Sequence, residues 1–377
     1  MHYKDFLSFD QTVNLIKHVG GKRTVLVMGE NGIGKTSLHK ALSADPDFAD
    51  FIKPTPVDCT QLSDGSLYMP DIDRERGVSR ELPNERLGLS FGTQRGAMNS
   101  KPVLGMFDEI GKVPQFVKNI VAPIYYERRV GSMFFADGSV WFAATNLATE
   151  GLSDYMEPHH RNRLVIAYMR KASLDEWLTR FAIPNRLNAM LLAFLQEHPV
   201  FFDSFLDYAE GGKYYGKDIE KDNPGIFNPN TVQDAYASPR SIHAASDILD
   251  VADKLDSHTL EQALNGTVGK AFTSLLMSFM RFGQQVPSSG VIKSDPLTAP
   301  VPANKLAQQI VVFRAITQSR SRDDADAFTT YIKRLEPEMQ SLLCRRVSES
   351  DDATLGLFST VQPFVEMLND NRIYYKA

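Results

Sequence analysis

The sequence predicts an α/β domain with a parallel sheet, followed by a helical region. Three short apolar runs carry the strand prediction: TVLVM from Thr24, PVLGMF from Pro102 and VWFAAT from Val140. Each run resembles a strand that is covered on both faces. The segments KTSLHKAL and PQFVKNIVAPIYYERR lie between the runs, and their apolar residues recur at helical spacing. Strands that alternate with helices are typical of a parallel α/β sheet.

Helical patterns replace the strand runs after residue 170. Five segments carry them: SLDEWLTRFA, RLNAMLLAFLQEH, SPRSIHAASDILDVADKL, TLEQALNG and GKAFTSLLMSFMRF. A stretch rich in Pro, Ser and Gly then favours a linker or extended arm, and further helical patterns follow it. The sequence therefore predicts an α/β domain at 1–170, a helical domain at 171–282, a linker at 283–303 and a helical extension at 304–377.

Composition narrows the class of protein. A chain of 377 residues with 43% hydrophobic residues is long enough for two or three domains with sizeable cores. Its formal net charge of −5 argues against bulk attachment to nucleic acid, although a local basic channel stays open. Cys59 and Cys344 have no metal-ligand spacing, so we expect two ordinary reduced thiols. With no signal core and no long apolar run, the sequence predicts a soluble, cytoplasmic protein without membrane contact.

A glycine-rich loop follows the first strand run. Residues 29–36 match G-x-x-x-x-G-K-[ST], the Walker A pattern, between a strand run and a helix, which is the context the pattern requires. In such a loop the backbone N–H groups and the helix N-terminus attract phosphate oxygens, Lys35 reaches the β- and γ-phosphates, and Thr36 ligates Mg²⁺. The sequence therefore predicts binding of ATP and Mg²⁺. The predicted nucleotide-binding residues are Gly29, Glu30, Asn31, Gly32, Ile33, Gly34, Lys35, Thr36 and Ser37.

An acidic pair follows the second strand run, in VLGMFDEIGKV. This Walker B arrangement predicts that Asp108 holds the Mg²⁺ shell and that Glu109 polarises an attacking water. The third run ends in Asn146, where a buried strand reaches the ligand crevice of such a sheet. Asn146 could fix the water between Glu109 and the γ-phosphate, although asparagine is also a common turn residue.

Three arginines are candidates for contacting a transferring phosphoryl group. Arg161 and Arg163 lie in HHRNRLV before another apolar run, and such fingers often come from a neighbouring subunit. From these residues alone, a solvated basic turn is an equal alternative. Arg240 follows Ser238 and Pro239, a capping residue and a first-turn proline, and it could fold onto the γ-phosphate from a lid helix or be ordinary surface. The adjacent pair His159 and His160 lacks a third metal ligand and is interpreted as loop histidines.

Taken in order, these segments resemble the AAA+ ATPases, and within them the MoxR-like group. The resemblance covers roughly residues 12–282 and rests on the Walker A loop, DCTQLSDGSLYMPDID, FDEIGKVPQFVKNIVAPIYYERRVG, DGSVWFAATN, HHRNRLV and SPRS. The fold class it implies is a P-loop NTPase of AAA+ type, with an all-helical lid and a helical C-terminal extension. It also implies sensor 1 at Asn146, an arginine finger at Arg163 with Arg161 as second choice, and sensor 2 at Arg240.

The resemblance further implies a homo-oligomeric ring, usually of six subunits, with ATP between neighbours. The segment YYERRVGSMFFADGSV resembles the β-hairpin that precedes sensor 1 in this group and faces the ring interior or its substrate. The sequence departs from the group at Gly105, which interrupts the Walker B strand where a β-branched residue is usual. The chain after Phe282 matches no part of the group.

Three functional hypotheses follow. The first is a MoxR-like ATPase that remodels or assembles a protein partner, often a von Willebrand factor A-type protein in this group. The second is a nucleic-acid motor or loader of the same fold, in which Arg128 and Arg129 touch a phosphate backbone. The third is a nucleotide-dependent scaffold that does not hydrolyse ATP, which the set of Glu109, Asn146 and arginines argues against.

Overall fold

The structure is a computed structural model that describes residues 5–63, 65–89, 101–131, 133–147 and 158–371. It divides into two compact units. The first consists of Met1–Lys171 with Glu210–Gly212, and the second of Ala172–Ala209 with Lys213–Ala377.

The first unit contains strands and helices in alternation. Its helices are α1 (Phe9–Val19), α2 (Ser37–Ala44), α3 (Gln115–Glu127) and α4 (Pro158–Arg161). Its strands are β1 (Val25–Gly29), β2 (Val57–Asp58), β3 (Tyr68–Asp73), β4 (Val78–Pro83), β5 (Leu104–Asp108), β6 (Arg129–Val130), β7 (Met133–Phe134), β8 (Val140–Asn146) and β9 (Val165–Tyr168).

Five strands form one parallel sheet in the order β2-β5-β8-β1-β9. The three predicted strand runs are β1, β5 and β8, and they are direct neighbours. Because parallel strands end at the same edge, the segments that follow these three strands meet there. The register pairs Gly29 at the end of β1 with Asn146 at the end of β8.

Helices cover both faces of this sheet. Val25 and Val27 of β1 face a core shared with Ile16 of α1 and Leu38 of α2. Alternate positions on the same strands, Leu26 among them, face the opposite core, to which α3 contributes. This burial of both strand faces explains why the strand runs are continuously apolar rather than alternating.

Two antiparallel ribbons extend the first unit. The pair β6–β7 is the hairpin that the resemblance implied, with Arg129 opposite Phe134 and Val130 opposite Met133. The pair β3–β4 is longer, with six residues in each strand, and the sequence analysis did not predict it. β3 contains Pro70, Asp71 and Asp73, and proline and aspartate are depleted in strands. The residue types of this segment therefore did not indicate a strand.

The second unit is helical. Its helices are α5 (Leu174–Trp177), α6 (Ala189–Glu197), α7 (Ile219–Asp222), α8 (Pro239–Leu249), α9 (Ser257–Val268), α10 (Lys270–Gly283), α11 (Ser289–Ser294), α12 (Lys305–Gln318), α13 (Arg322–Ile332), α14 (Pro337–Ser348), α15 (Asp352–Ser359) and α16 (Gln362–Asn371). A π-helical turn, Leu178–Ala182, continues α5.

One hydrophobic core runs through this unit, from Leu174 to Met367. The segment 283–303, predicted as a linker or extended arm, contains α11 and contributes Val286, Ile292 and Ala299 to that core. One of its serines begins the helix, since the side chain of Ser288 caps the N-terminus of α11. The segments predicted as lid, linker and extension therefore pack together as one body, because their apolar residues have a common core.

The buried side chain of Arg346 connects α14 with the first helices of this unit. The side chain of Arg346 on α14 is only 1% exposed, and it lies 2.7 Å from the Asp175 carboxylate of α5 and 2.5 Å from Gln196 Oε1 of α6. Burial alone would raise the pKa of Asp175, but the hydrogen bond and charge of Arg346, with Arg345, hold it below its ordinary value. Because a buried guanidinium requires partners, these contacts fix α14 against α5 and α6.

The predicted fold class, an α/β P-loop domain followed by helical segments, is confirmed by the sheet order and the helical second unit. Cys59 and Cys344 are both free and buried, and burial raises the pKa of the Cys344 thiol to about 12. Among the described residues, no helix has the length and apolar character needed to cross a membrane.

Gly105, which interrupts the Walker B strand, makes room for a tryptophan. It lies opposite Trp141 in the register of β5 and β8, and a Cβ atom at position 105 would come within 2.4 Å of the indole ring. Trp141 is fully buried, and its ring stacks on Phe107 at a centroid distance of 4.8 Å. The glycine therefore marks a close approach in the sheet rather than a loose strand.

We predict that Gly105→Ala lowers the free energy of unfolding by about 2 kcal/mol, because the rigid ring cannot yield to the added methyl group. Urea unfolding of the full chain measures this. The matched control is Gly21→Ala, where a Cβ would lie 3.6 Å from the nearest atom, an ordinary contact. The Gly105→Ala change should cost less in a Trp141→Phe background. Equal costs in both backgrounds would contradict the packing explanation.

Candidate phosphate-binding site

The glycine-rich loop connects β1 to the N-terminus of α2. Gly32 and Gly34 have φ angles of 73° and 96°, in the left-handed region that favours glycine. Thr36 is the N-cap residue of α2 but makes no side-chain cap, so its hydroxyl is directed to another partner. The loop thus has the backbone form and the helix N-terminus of an anion-binding site.

Lys35 is the central cation of this loop. It is only 7% exposed, and Nζ donates hydrogen bonds to the carbonyl oxygens of Gly29, at 2.9 Å, and Glu30, at 2.7 Å. Nζ also donates to Oδ1 of Asn146, at 2.7 Å. These three oxygen atoms hold the ammonium at the base of the loop, where a buried charge requires such partners.

Asn146 lies fully buried at the end of β8, beside the loop. Because the lysine donates to the amide oxygen, the amide nitrogen must point the other way. Nδ2 is buried and has no hydrogen-bond partner in the described part of the chain. A buried donor left unpaired costs about 1–3 kcal/mol, so an acceptor on a bound molecule would stabilise this site.

Thr36 and Asp108 bring two hard oxygen ligands together. The Thr36 hydroxyl donates to Oδ2 of Asp108 at 2.7 Å, while Oδ1 accepts the backbone N–H of Glu109 at 3.0 Å. Mg²⁺ is usually bound by one or two such groups together with phosphate oxygens and waters. The pair therefore fits Mg²⁺. Among the described residues, no cluster of three or more His, Cys, Asp or Glu could hold a metal on its own.

Glu109 occupies a strained turn after β5. Its φ and ψ angles of 56° and 31° are left-handed, which costs a non-glycine residue about 1–2 kcal/mol. Its carboxylate lies 3.0 Å from the ammonium of Lys112, and Thr145 Oγ1 accepts the backbone N–H of Gly111 at 3.1 Å. The second contact anchors the turn to the end of β8. Glu109, the predicted base, thus lies in an anchored turn at the carboxyl edge of the sheet. The sequence analysis did not predict its ion pair with Lys112.

Arg161 and Arg163 lie elsewhere in the first unit. Both are exposed, and no hydrogen bond or ion pair among the described residues joins either to the phosphate loop. The guanidinium carbon of Arg163 lies 4.7 Å from the ring centroid of Tyr126 on α3. His160 is 3% exposed on α4, where it bonds to Tyr126, so the interpretation of this histidine as a loop residue is wrong. The side chain of His159 lies outside the described residues.

Arg240 belongs to the second unit and is exposed on the first turn of α8. The predicted start of this helix is confirmed, since Ser238 caps it and Pro239 takes the first helical position. The structure therefore brings five predicted residues together at the sheet edge, and none of the hydrogen bonds that join them in the described part of the chain involves Arg161 or Arg163. The five are Lys35, Thr36, Asp108, Glu109 and Asn146.

The two arginines considered for nucleic-acid contact both bond to groups of their own chain. Arg128 donates to the carbonyl oxygens of Ile124 at 3.0 Å and Gly20 at 2.7 Å, and to Thr24 Oγ1 at 2.6 Å, and burial lowers its pKa to about 10. Arg129 pairs with the carboxylate of Glu127. Arg128 thus stabilises the C-terminus of α3, a role that a basic residue directly after a helix could have suggested.

The order of the parallel sheet and the glycine-rich loop between β1 and α2 define the fold of the first unit as that of a P-loop nucleoside triphosphatase. No protein-family model matches the chain, and no curated protein matches it significantly.

Three solved structures that resemble the chain are of NtrX from Brucella abortus: one in complex with ADP, one in complex with ATP, and one for which no nucleotide is named. They are 12%, 11% and 11% identical, with TM-scores of 0.36, 0.37 and 0.31. The alignments cover 96%, 98% and 96% of this chain and 67%, 68% and 68% of those chains. At these scores the likeness carries no conclusion about function.

We predict that Asn146→Asp weakens the binding of inorganic tripolyphosphate about tenfold or more. The new carboxylate would repel phosphate at close range and would hold Lys35 in a charge-assisted hydrogen bond. Calorimetric titration of the full chain measures the dissociation constant. Asn84→Asp is the matched control, because Asn84 caps a surface turn where aspartate serves equally well. Unchanged affinity in Asn146→Asp would remove Asn146 from the phosphate site.

Proposed function

We propose that this chain is an AAA+ ATPase that hydrolyses ATP with Mg²⁺. The observation that carries the proposal is the cluster at the sheet edge, in which the buried Lys35 bonds the buried Asn146 and Thr36 bonds Asp108. It joins a cation for the phosphates, oxygen ligands for a divalent ion and an unpaired amide donor. A site that only bound phosphate would not need Glu109 beside it in a strained conformation.

The residues support an in-line attack of water on the γ-phosphate. Lys35 turns from the loop carbonyls toward the β- and γ-phosphate oxygens, while Nδ2 of Asn146 donates to the γ-phosphate or to the attacking water. Glu109 leaves Lys112 and accepts a hydrogen bond from that water, which it orients and polarises. Bound to Thr36 and Asp108, Mg²⁺ would neutralise charge that develops on the phosphate oxygens.

We also propose that the active form is a ring, in which Arg163 of one subunit contacts the ATP of its neighbour. Its guanidinium is exposed and is not joined to the loop of its own chain, as expected of a residue that acts on a neighbour's ATP. Arg161 is the second choice for this role, and Arg240 is proposed as the residue that reaches the γ-phosphate from the lid. The number of subunits proposed is six, as in the MoxR-like group.

A protein partner is the proposed substrate of this ring, with a von Willebrand factor A-type protein as one candidate. The nucleic-acid alternative loses its supporting observation, because Arg128 and Arg129 bond to their own chain. Turnover that DNA stimulates, with a steep loss on adding salt, would favour that alternative nonetheless.

We predict that Glu109→Gln retains ATP binding but lowers kcat at least about a hundredfold, since removal of a general base has effects of that order. A coupled ATPase assay and a nucleotide-binding titration measure the two quantities. Glu85→Gln, an exposed acid in the same unit, is the control. Normal turnover in Glu109→Gln would overturn the assignment of the base. Absence of any ATPase activity in the unmodified protein, alone or with a partner, would favour a scaffold that does not hydrolyse ATP.

We predict that Arg163→Ala loses turnover by about 10³-fold, as for other arginine fingers, and regains it in mixed assemblies. A Lys35→Ala subunit cannot hydrolyse ATP but can supply Arg163 to an Arg163→Ala neighbour. ATPase activity should therefore rise when the two inactive variants are mixed. Arg23→Ala is the matched control, because it removes the same charge from an exposed arginine of the same unit that has no proposed catalytic role. If mixing restores nothing, Arg163 does not act between subunits.

A further inference from the structure

Arg163 rests on an aromatic face rather than on a carboxylate. Its guanidinium carbon lies 4.7 Å from the centroid of the Tyr126 ring, within cation–π range. No ion pair to Arg163 occurs in the part of the chain that the structure describes. A carboxylate would occupy the N–H donors and cancel the charge, whereas a ring face leaves both available to phosphate oxygens. The contact thus orients the guanidinium without neutralising it.

The ring of Tyr126 is itself held from a second helix. Its hydroxyl lies 2.5 Å from Nδ1 of His160, and the two rings are within 24° of parallel. Nε2 of His160 lies 3.2 Å from Oδ1 of Asn119, one α3 residue that faces the histidine. His160 is buried and lies on α4, and the backbone N–H of Arg163 donates to its carbonyl oxygen at 3.1 Å. The backbone of Arg163 is therefore linked to His160 directly, and its guanidinium is linked to the same histidine through Tyr126.

The chemistry of this chain of contacts is consistent. Burial raises the pKa of Tyr126, more than the nearby Arg163 lowers it, so the phenol stays protonated at neutral pH. The phenol then donates to Nδ1 of the imidazole, while Nε2 faces two side chains of α3, Oδ1 of Asn119 at 3.2 Å and Nε2 of Gln115 at 3.1 Å. The ring orientation is thus set by directional bonds rather than by packing alone.

We propose that Tyr126, anchored by His160, is a positioning residue that holds Arg163 ready for a neighbouring subunit's ATP. The proposal rests on the proposed role of Arg163 as an arginine finger. In this role Tyr126 acts through the arginine and not on the reacting atoms. Its contribution comes from restricting a long, exposed side chain that otherwise samples many rotamers.

The experiment is a set of ATPase measurements on the assembled full chain. Tyr126→Leu removes the ring face and should lower kcat about three- to tenfold, with the KM for ATP within about twofold of the unmodified protein. Tyr126→Phe keeps the ring face and should retain at least about a third of kcat. Thermal unfolding of both variants checks that the fold is intact. In an Arg163→Ala background, Tyr126→Leu should have no further effect.

Each other result identifies what has failed. If Arg163→Ala lowers kcat and Tyr126→Leu does not, the finger stands and the positioning role is overturned. If Tyr126→Leu lowers kcat equally with and without Arg163, its effect is structural and the proposal is overturned. If Phe and Leu reduce kcat alike, the ring face is not the active feature. If Arg163→Ala is fully active, the finger assignment fails, and the positioning role falls with it.

Discussion

The structure of the site depends on one buried cation. The ammonium of Lys35 is held by two backbone carbonyls and the amide oxygen of Asn146, and each contact requires a specific piece of the fold. The carbonyls are those at the end of β1 and the start of the loop, and the amide lies on the next strand. An ammonium withdrawn from water needs such oxygens, since the cost of burying it unpaired would exceed the stability of a typical domain. The loop, the sheet order and the amide therefore constrain one another.

The local patterns of the sequence were enough to predict the sheet domain and the five residues at its edge. Strands β1, β5 and β8 are continuous apolar runs, and each functional group follows directly at its carboxyl end. Because the three strands are neighbours and parallel, residues 111 positions apart, Lys35 and Asn146, come into contact without any signal beyond strand order. The departure at Gly105 was visible too, but its cause was not, since Trp141 lies on another strand.

Features that depend on distant partners were not predictable in this way. Arg128 was considered as a contact to a nucleic-acid backbone, yet it bonds Gly20 and Thr24, more than a hundred residues earlier. The segment 283–303 has the composition of a linker, and only the burial of residues such as Ile292 in a core shared with distant helices reveals its role. The proposed roles of Arg163 and Arg240 require contacts with atoms outside the unit that carries each residue, and sequence patterns within one unit do not predict such contacts.

The unpredicted ribbon β3–β4 has a practical consequence. Met69 and Ile72 are three positions apart in β3, so their side chains lie on opposite faces of the ribbon. They are 62% and 70% exposed. A lone pair of strands with solvent on both sides has little cohesion of its own. Its tip, Arg74–Gly77, offers two arginines in a short connection that trypsin can reach. Brief digestion should nick the molecule there first, leaving fragments that stay associated through the parallel sheet.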